Sequence, residues 1–271
     1  INEFLETEPA IREPSTALAP RLQGEIVFDG VEMVYPNTGI KALSNFSLKI
    51  NKGERVAIIG HTGSGKSTLA QLLVRLFDPT KGTIAIDGVP LTQLSLEALR
   101  KQVSYVPQDV FLFSDTVEEN IGFGRDKFSS AEVEEAARTA CIDGEIRSFQ
   151  HQYATTIGER GVSLSGGQKQ RISLARALIK DPAIVLLDDC LSAVDSKTEK
   201  EILGQLQQFL AGRTALVITH RLFTSLDFDQ IIILEEGKII EKGTHQELMA
   251  RNGYYRFLYE HQRTDREPPH R

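Results

Sequence analysis

Val56-Ala57-Ile58-Ile59-Gly60-His61-Thr62-Gly63-Ser64-Gly65-Lys66-Ser67-Thr68 is the stretch from which the fold is read. Its four leading apolar residues predict a strand covered on both faces. The Gly60-x4-Gly65-Lys66-Ser67 pattern then opens a helix whose expected apolar stripe is Leu69, Leu72, Leu73 and Leu76. In that strand-to-helix context the pattern is a phosphate-binding loop. The glycines Gly60, Gly63 and Gly65, interleaved with His61, Thr62 and Ser64, let successive backbone N–H groups turn toward one point. The helix N-terminus adds a partial positive charge there. Lys66 offers a full charge to the β- and γ-phosphates, Ser67 offers a hydroxyl to magnesium, and Thr68 closes the motif. The competing reading is an ordinary glycine-rich turn. Strand, spacing, Lys and Ser together weigh against it.

Two further apolar runs, Ile184–Leu187 and Ala215–Ile218, match the first and predict more central parallel strands. Earlier segments alternate instead. Ile26, Phe28, Val31, Met33 and Tyr35 sit among polar residues, as do Leu43, Phe46, Leu48 and Ile50, which predicts a half-buried antiparallel portion. From about 110 to 180 the pattern turns helical, with Ser129 and Glu132 as a capping box. Ile231–Leu234 and Lys238–Ile240, joined through Glu235-Glu236-Gly237, predict a late hairpin.

The chain has 271 residues, 41% of them hydrophobic, which is enough for a globular core. A formal net charge of −6 argues against non-specific binding to nucleic acid or to an anionic membrane by the whole surface. Cys141 and Cys190 lie far apart and form neither a disulfide framework nor a metal knuckle. No window approaches the roughly 20 apolar residues of a membrane span. The chain starts at Ile1 rather than Met, and is expected to be cut from a longer polypeptide.

Asp188 and Asp189 end the Ile184–Leu187 run. That places Asp188 at the carboxyl edge of the sheet, beside the phosphate loop, where it can hold magnesium through a water. Asp189 is expected on the γ-phosphate side, where a carboxylate polarises the attacking water.

Leu164-Ser165-Gly166-Gly167-Gln168, followed by Lys169-Gln170-Arg171 and a helix leading to Asp188, resembles the signature motif of ABC-type ATPases. A hydroxyl, backbone N–H groups and a helix N-terminus can all face a phosphate there. The resemblance covers about residues 23–260. It implies an α/β fold: a P-loop ATPase core with a mostly parallel central sheet, an antiparallel β subdomain and an inserted α-helical subdomain. It also implies ATP and Mg2+ as ligands, with Ser67, Gln108 and Asp188 at the metal and Lys66, Gln108, Asp189 and His220 in hydrolysis. Tyr35 matches the aromatic that stacks on adenine, and a core tyrosine at a strand end is its competing reading. Gln108 matches the loop glutamine, His220 the switch histidine, and Ser192-Ala193-Val194-Asp195 the loop that crosses to a partner domain. Ser165, Gly166, Gly167 and Gln168 would serve the ATP held by a second such domain, because the family pairs two domains head to tail.

Thr156-Ile157-Gly158-Glu159-Arg160-Gly161 resembles the cross-subunit loop of ABC exporters. Phe113-Ser114-Asp115-Thr116-Val117 and Glu119-Asn120-Ile121 resemble their segment that grips the membrane domain, with Asp115 where exporters often carry Gly. Phe4-Leu5-Glu6-Thr7-Glu8-Pro9 resembles the linker after an exporter's last membrane helix. The resemblance thus implies a linker over 1–22, an ATP-binding domain over 23–262, a tail over 263–271, and a membrane domain fused upstream. The domain is then expected on the cytoplasmic face of a membrane, a bacterial inner membrane, with no nucleic acid as partner.

One residue departs from the family. Asp189 stands where ABC ATPases usually carry Glu, as in the degenerate site of one half of asymmetric multidrug exporters. The expectation is a slow site here, a non-identical partner with the Glu, and an intact signature serving that partner. Three rivals stay open: a tolerated Asp in an active homodimer, a regulatory module that binds without hydrolysing, and a soluble ABC ATPase of DNA repair or translation.

Overall fold

The computed structural model describes residues 11–158, 162–221 and 226–264. The alternating early segments form β1 (Ile26–Val34) and β2 (Lys41–Ile50), and the run before the phosphate loop forms β3 (Arg55–Ile59). Two strands that the sequence pattern did not single out follow, β4 (Lys81–Ile86) and the short β5 (Val89–Pro90). These join β1 and β2 in an antiparallel sheet of order β2-β1-β4-β5.

The second sheet contains β3, β6 (Val103–Val106), β7 (Ile184–Asp188), β8 (Thr214–Thr219), β9 (Gln230–Glu235) and β10 (Lys238–Gly243). Its order is β10-β9-β3-β8-β7-β6, with β9, β3, β8, β7 and β6 parallel and β10 antiparallel. The continuous apolar runs are explained by which core each side chain enters. Val56, Ile58, Ile184, Leu186, Leu216 and Ile218 join the core beneath the antiparallel sheet. Val185, Leu187, Ala215 and Val217 point the other way, into a core shared with the helical insert. A period of two with apolar partners on both faces leaves no polar position. The late hairpin turns through Glu236 (φ 45°) and Gly237 (φ 73°), two positive-φ residues that match the twist of the strands.

The helix after the phosphate loop, α1, spans Lys66–Leu73 and ends earlier than the apolar stripe suggested. Leu69, Leu72 and Leu73 are buried, but Leu76 is 47% exposed and lies outside the helix. The reason is local. Arg75 adopts φ 50°, its N–H bonds to Leu72 O, and Leu76 N–H reaches back to Gln71 O, which is the Schellman closure of a helix end.

Next comes α2 (Leu96–Gln102). The insert holds α3 (Val117–Gly122), α4 (Ser130–Thr139), α5 (Asp143–Ser148) and α6 (Gly166–Leu178). The capping box of Ser129 and Glu132 forms at the head of α4. Then come α7 (Ser196–Phe209), α8 (His245–Ala250) and α9 (Tyr254–Thr264). Helix α9 runs past the 263 boundary expected for the tail. Residues 11–22 of the expected linker lie on the body: Leu22 is buried, and Leu18 bonds Gln93 and Ser95. The rest of the expected tail, the segment Phe4–Pro9, and Glu159, Arg160 and Gly161 of the exporter-type loop fall outside the described residues.

Candidate nucleotide site

The carboxyl ends of β3, β7 and β8 deliver the phosphate loop, the two aspartates and His220 to one cleft. It holds about 250 Å3 and is lined by Tyr35, Ile40, Thr62, Gly63, Gly65, Lys66, Ser67, Thr68, Gln108, Asp188, Asp189 and His220 among others. Gly65 shows why the loop needs glycine. Its φ is 97°, and a Cβ there would sit 2.2 Å from Ala42 O. Gly63 is different: a Cβ would meet nothing within 4 Å. Gly65 also starts α1 with no side-chain cap, so the first N–H groups of the helix stay available to an anion.

The Lys66 ammonium turns back on its own loop, 2.7 Å from both Gly60 O and His61 O. Burial pulls its pKa down, while Asp188 and Asp189 oppose that shift. Ser67 Oγ donates to Asp188 Oδ1 at 3.1 Å, and the Tyr105 hydroxyl donates to Asp188 Oδ2 at 3.2 Å. Asp188 is 2% exposed, and burial raises its pKa despite those two hydrogen bonds. Burial and the Asp188 charge likewise push the Tyr105 phenol up, so it remains a donor. Two carboxylates thus face one ammonium, and a hydroxyl lies against one of the carboxylates. This hard, all-oxygen set with an excess negative charge fits Mg2+.

Asp189 follows the last residue of β7 in left-handed backbone, φ 47°, which Asp tolerates better than most residues. Its N–H still bonds Ile218 O at 2.8 Å, extending the ladder by one residue. Its Oδ2 lies 2.7 Å from His220 Nδ1. The carboxylate is largely covered, at 16% exposure, while His220 is 48% exposed. The structure therefore brings together Lys66, Ser67, Gln108, Asp188, Asp189 and His220, as the sequence led one to expect.

Tyr35 reaches the same cleft, but its hydroxyl is held on α1, 2.9 Å from Thr68 Oγ1 and 2.8 Å from Gln71 Oε1. Its ring meets Phe77 edge-on at 5.3 Å. These are the contacts of a core tyrosine, and Tyr35 also lines the cleft.

The signature residues do not line this cleft. Ser165 caps α6: its Oγ accepts from Gln168 N–H, while Gln168 Oε1 accepts from Ser165 N–H. The Gln168 amide also donates to Glu145 at 2.9 Å, so both of its ends are engaged inside the domain. Gly166 and Gly167 back onto the Ala193 loop, where a Cβ would come within 3.2 and 3.0 Å of it. Gln170 holds that loop through Ser192 Oγ and Ala193 N–H. Sequence reasoning missed Tyr105 and Glu145. Neither sits in a motif, and each acts through a partner far along the chain.

A family model described as "ABC transporter" matches residues 43–192, more than half of the chain and all of the motifs from the phosphate loop through Asp189. The chain belongs to the ABC transporter family. It is an ATP-binding domain of that family, an ABC-type ATPase. It is 47% identical over 262 residues to the uncharacterized ABC transporter ATP-binding protein YfiB of Bacillus subtilis, covering 97% of the chain and 45% of that protein. It is 44% identical over 255 residues to an ATP-dependent lipid A-core flippase of Neisseria meningitidis, covering 94% of the chain and 41% of the flippase. A solved bacterial Atm1-family ABC exporter with ATP bound superposes with a TM-score of 0.90 at 39% identity, covering 96% of the chain and 46% of the exporter. The chain thus spans less than half the length of these relatives.

Proposed function

We propose that this domain powers export across a membrane as the slow half of an ATP-driven pair. The observation that carries the reading is the pair Asp189–His220: a carboxylate 2.7 Å from His220 Nδ1, at the edge of the site that holds Lys66 and Asp188. Asp is about one C–C bond shorter than Glu. A base displaced by about 1 Å can cost on the order of a hundredfold in rate.

In this reading Lys66, the loop N–H groups and the head of α1 bind the triphosphate, and Tyr35 receives the adenine. Ser67, Asp188 and Gln108 hold Mg2+, which when bound neutralises phosphate charge. Asp189 accepts the proton of the attacking water slowly, and His220 faces the terminal phosphate. The signature residues lie off this cleft, so in this reading one face of the nucleotide is left for a second domain, whose signature would cover it head to tail. This chain's Ser165-Gly166-Gly167 would cover the partner's ATP, with Gln168 supporting Ser165.

ATP binding then draws two domains together, and differential affinity for the closed pair biases the membrane parts. Those parts would be fused upstream and reach the cytoplasmic face. The exposed Phe111, Phe113 and Phe123, with the Phe113 ring touching each of the other two, offer them an apolar seat. The partner is expected to be non-identical, with Glu at the place of Asp189. A regulatory module that binds ATP without hydrolysing it is the second reading, and the observation that favours it is the same short carboxylate at Asp189. Asp189→Glu should raise steady-state ATPase of the complex, or of a forced homodimer, by up to about a hundredfold, which is what about 1 Å of misplacement costs. An unchanged rate would show that the missing methylene does not limit this site.

A further inference from the structure

We propose that the C-terminal helix α9 is part of the phosphate site: Tyr254 holds His61, the second residue of the phosphate loop, in place for nucleotide binding. The inference rests on the reading that Gly60–Thr68 receives the phosphates of ATP. The Tyr254 hydroxyl lies 2.5 Å from His61 Nε2, with ring centroids 5.6 Å apart, although the two residues are 193 positions apart. His61 is an exposed loop residue. Its carbonyl accepts both from the Lys66 ammonium at 2.7 Å and from Ser64 N–H at 3.2 Å. Fixing the imidazole therefore fixes the peptide on which the phosphate-binding lysine rests.

The anchor is itself firm. Glu241 of β10 accepts from the backbone N–H of Tyr254 and of Tyr255 at the head of α9. Tyr255 is 3% exposed, packs with Ala57, Ile59, Ile231 and Ile233, and bonds His245 Nδ1 at 2.7 Å. Burial raises the Tyr254 phenol, which keeps it protonated and able to donate. From the opposite side Gly237 N–H bonds Ser64 O at 3.0 Å, and a Cβ on Gly60 would sit 2.2 Å from Leu234 O. The loop is thus strapped between the β9–β10 turn and α9. A loop ordered before binding loses less entropy when phosphate arrives. Tyr254 is a positioning residue, acting through His61 and Lys66 rather than on the nucleotide.

The test is a double-mutant cycle on the 271-residue chain, with ATP–Mg2+ binding measured by calorimetry. Tyr254→Phe removes one hydroxyl and leaves Tyr255 and Glu241 to dock α9. It should weaken ATP binding about threefold to tenfold, the span of one hydrogen bond, while leaving the unfolding midpoint without ATP in place. His61→Phe should cost about the same, and the double variant no more than either alone. Wild-type affinity in Tyr254→Phe, or losses that multiply in the double variant, would overturn the inference. A wild-type chain that binds no ATP would instead overturn the reading of the loop beneath it.

Discussion

At Gly65 two requirements meet in one residue. Its φ of 97° is strained for any side chain, and a Cβ would press into Ala42 O at 2.2 Å. Gly65→Ala should therefore destabilise the domain by about 2–3 kcal/mol in urea unfolding without nucleotide. Gly63 carries positive φ, 82°, but open space beside it, so Gly63→Ala should cost about 1–2 kcal/mol and act mainly on ATP affinity. Equal losses at both positions would contradict this division. The identities of these residues were legible because a phosphate loop is a local motif. The contacts that tune it were not. Tyr105 on Asp188 and Tyr254 on His61 are pairings across 83 and 193 positions, and no spacing rule reports them.

At the scale of elements, the head of α6 is held by Glu145 of α5. Its carboxylate receives Arg171 at 2.6 Å and Gln168 at 2.9 Å. Burial alone would raise its pKa, but those hydrogen bonds and the Arg171 charge outweigh it and hold the carboxyl below the usual range. A depressed folded-state pKa gives stability that is present above the unfolded pKa of about 4.3 and lost as pH falls through the folded value. Glu145 is 42% exposed, so solvent screens the pair. Glu145→Gln should cost roughly 0.5–1 kcal/mol at pH 7 and almost nothing near pH 3 in urea titrations. The same gap at both pH values would sink the assignment.

Elements with a strong repeating pattern were read correctly from sequence: the buried runs of β3, β7 and β8, the β9–β10 hairpin, the capping box of α4. Leu76 was misplaced because the stripe continues by one turn where Arg75, in left-handed conformation, ends α1. The four-residue β6 went unseen because Ser104 and Tyr105 break its apolar run; their polar atoms find Ala177 O and Asp188 only in the folded chain.

At the scale of the whole molecule, the signature residues lie off the phosphate-loop cleft, and the proposed reading makes dimerisation the condition for function. Light scattering of this chain at high concentration should show an ATP- and Mg2+-dependent dimer, in which a second copy stands in for the proposed unlike partner. Gly166→Asp should abolish the dimer without abolishing ATP binding by the monomer, since it puts a charge where a partner's phosphate would lie. A dimer that survives Gly166→Asp would mean the signature is not at the interface.

Single-turnover hydrolysis in the preassembled ATP-bound pair isolates the chemical step from dimer assembly. With labelled ATP–Mg2+ fully bound, the wild-type chain should convert ATP to ADP and phosphate slowly, and Asp189→Glu about a hundredfold faster. Fast conversion by the wild type, or no gain in the variant, would contradict the claim that the short carboxylate at Asp189 makes this a site that holds ATP rather than one that turns it over.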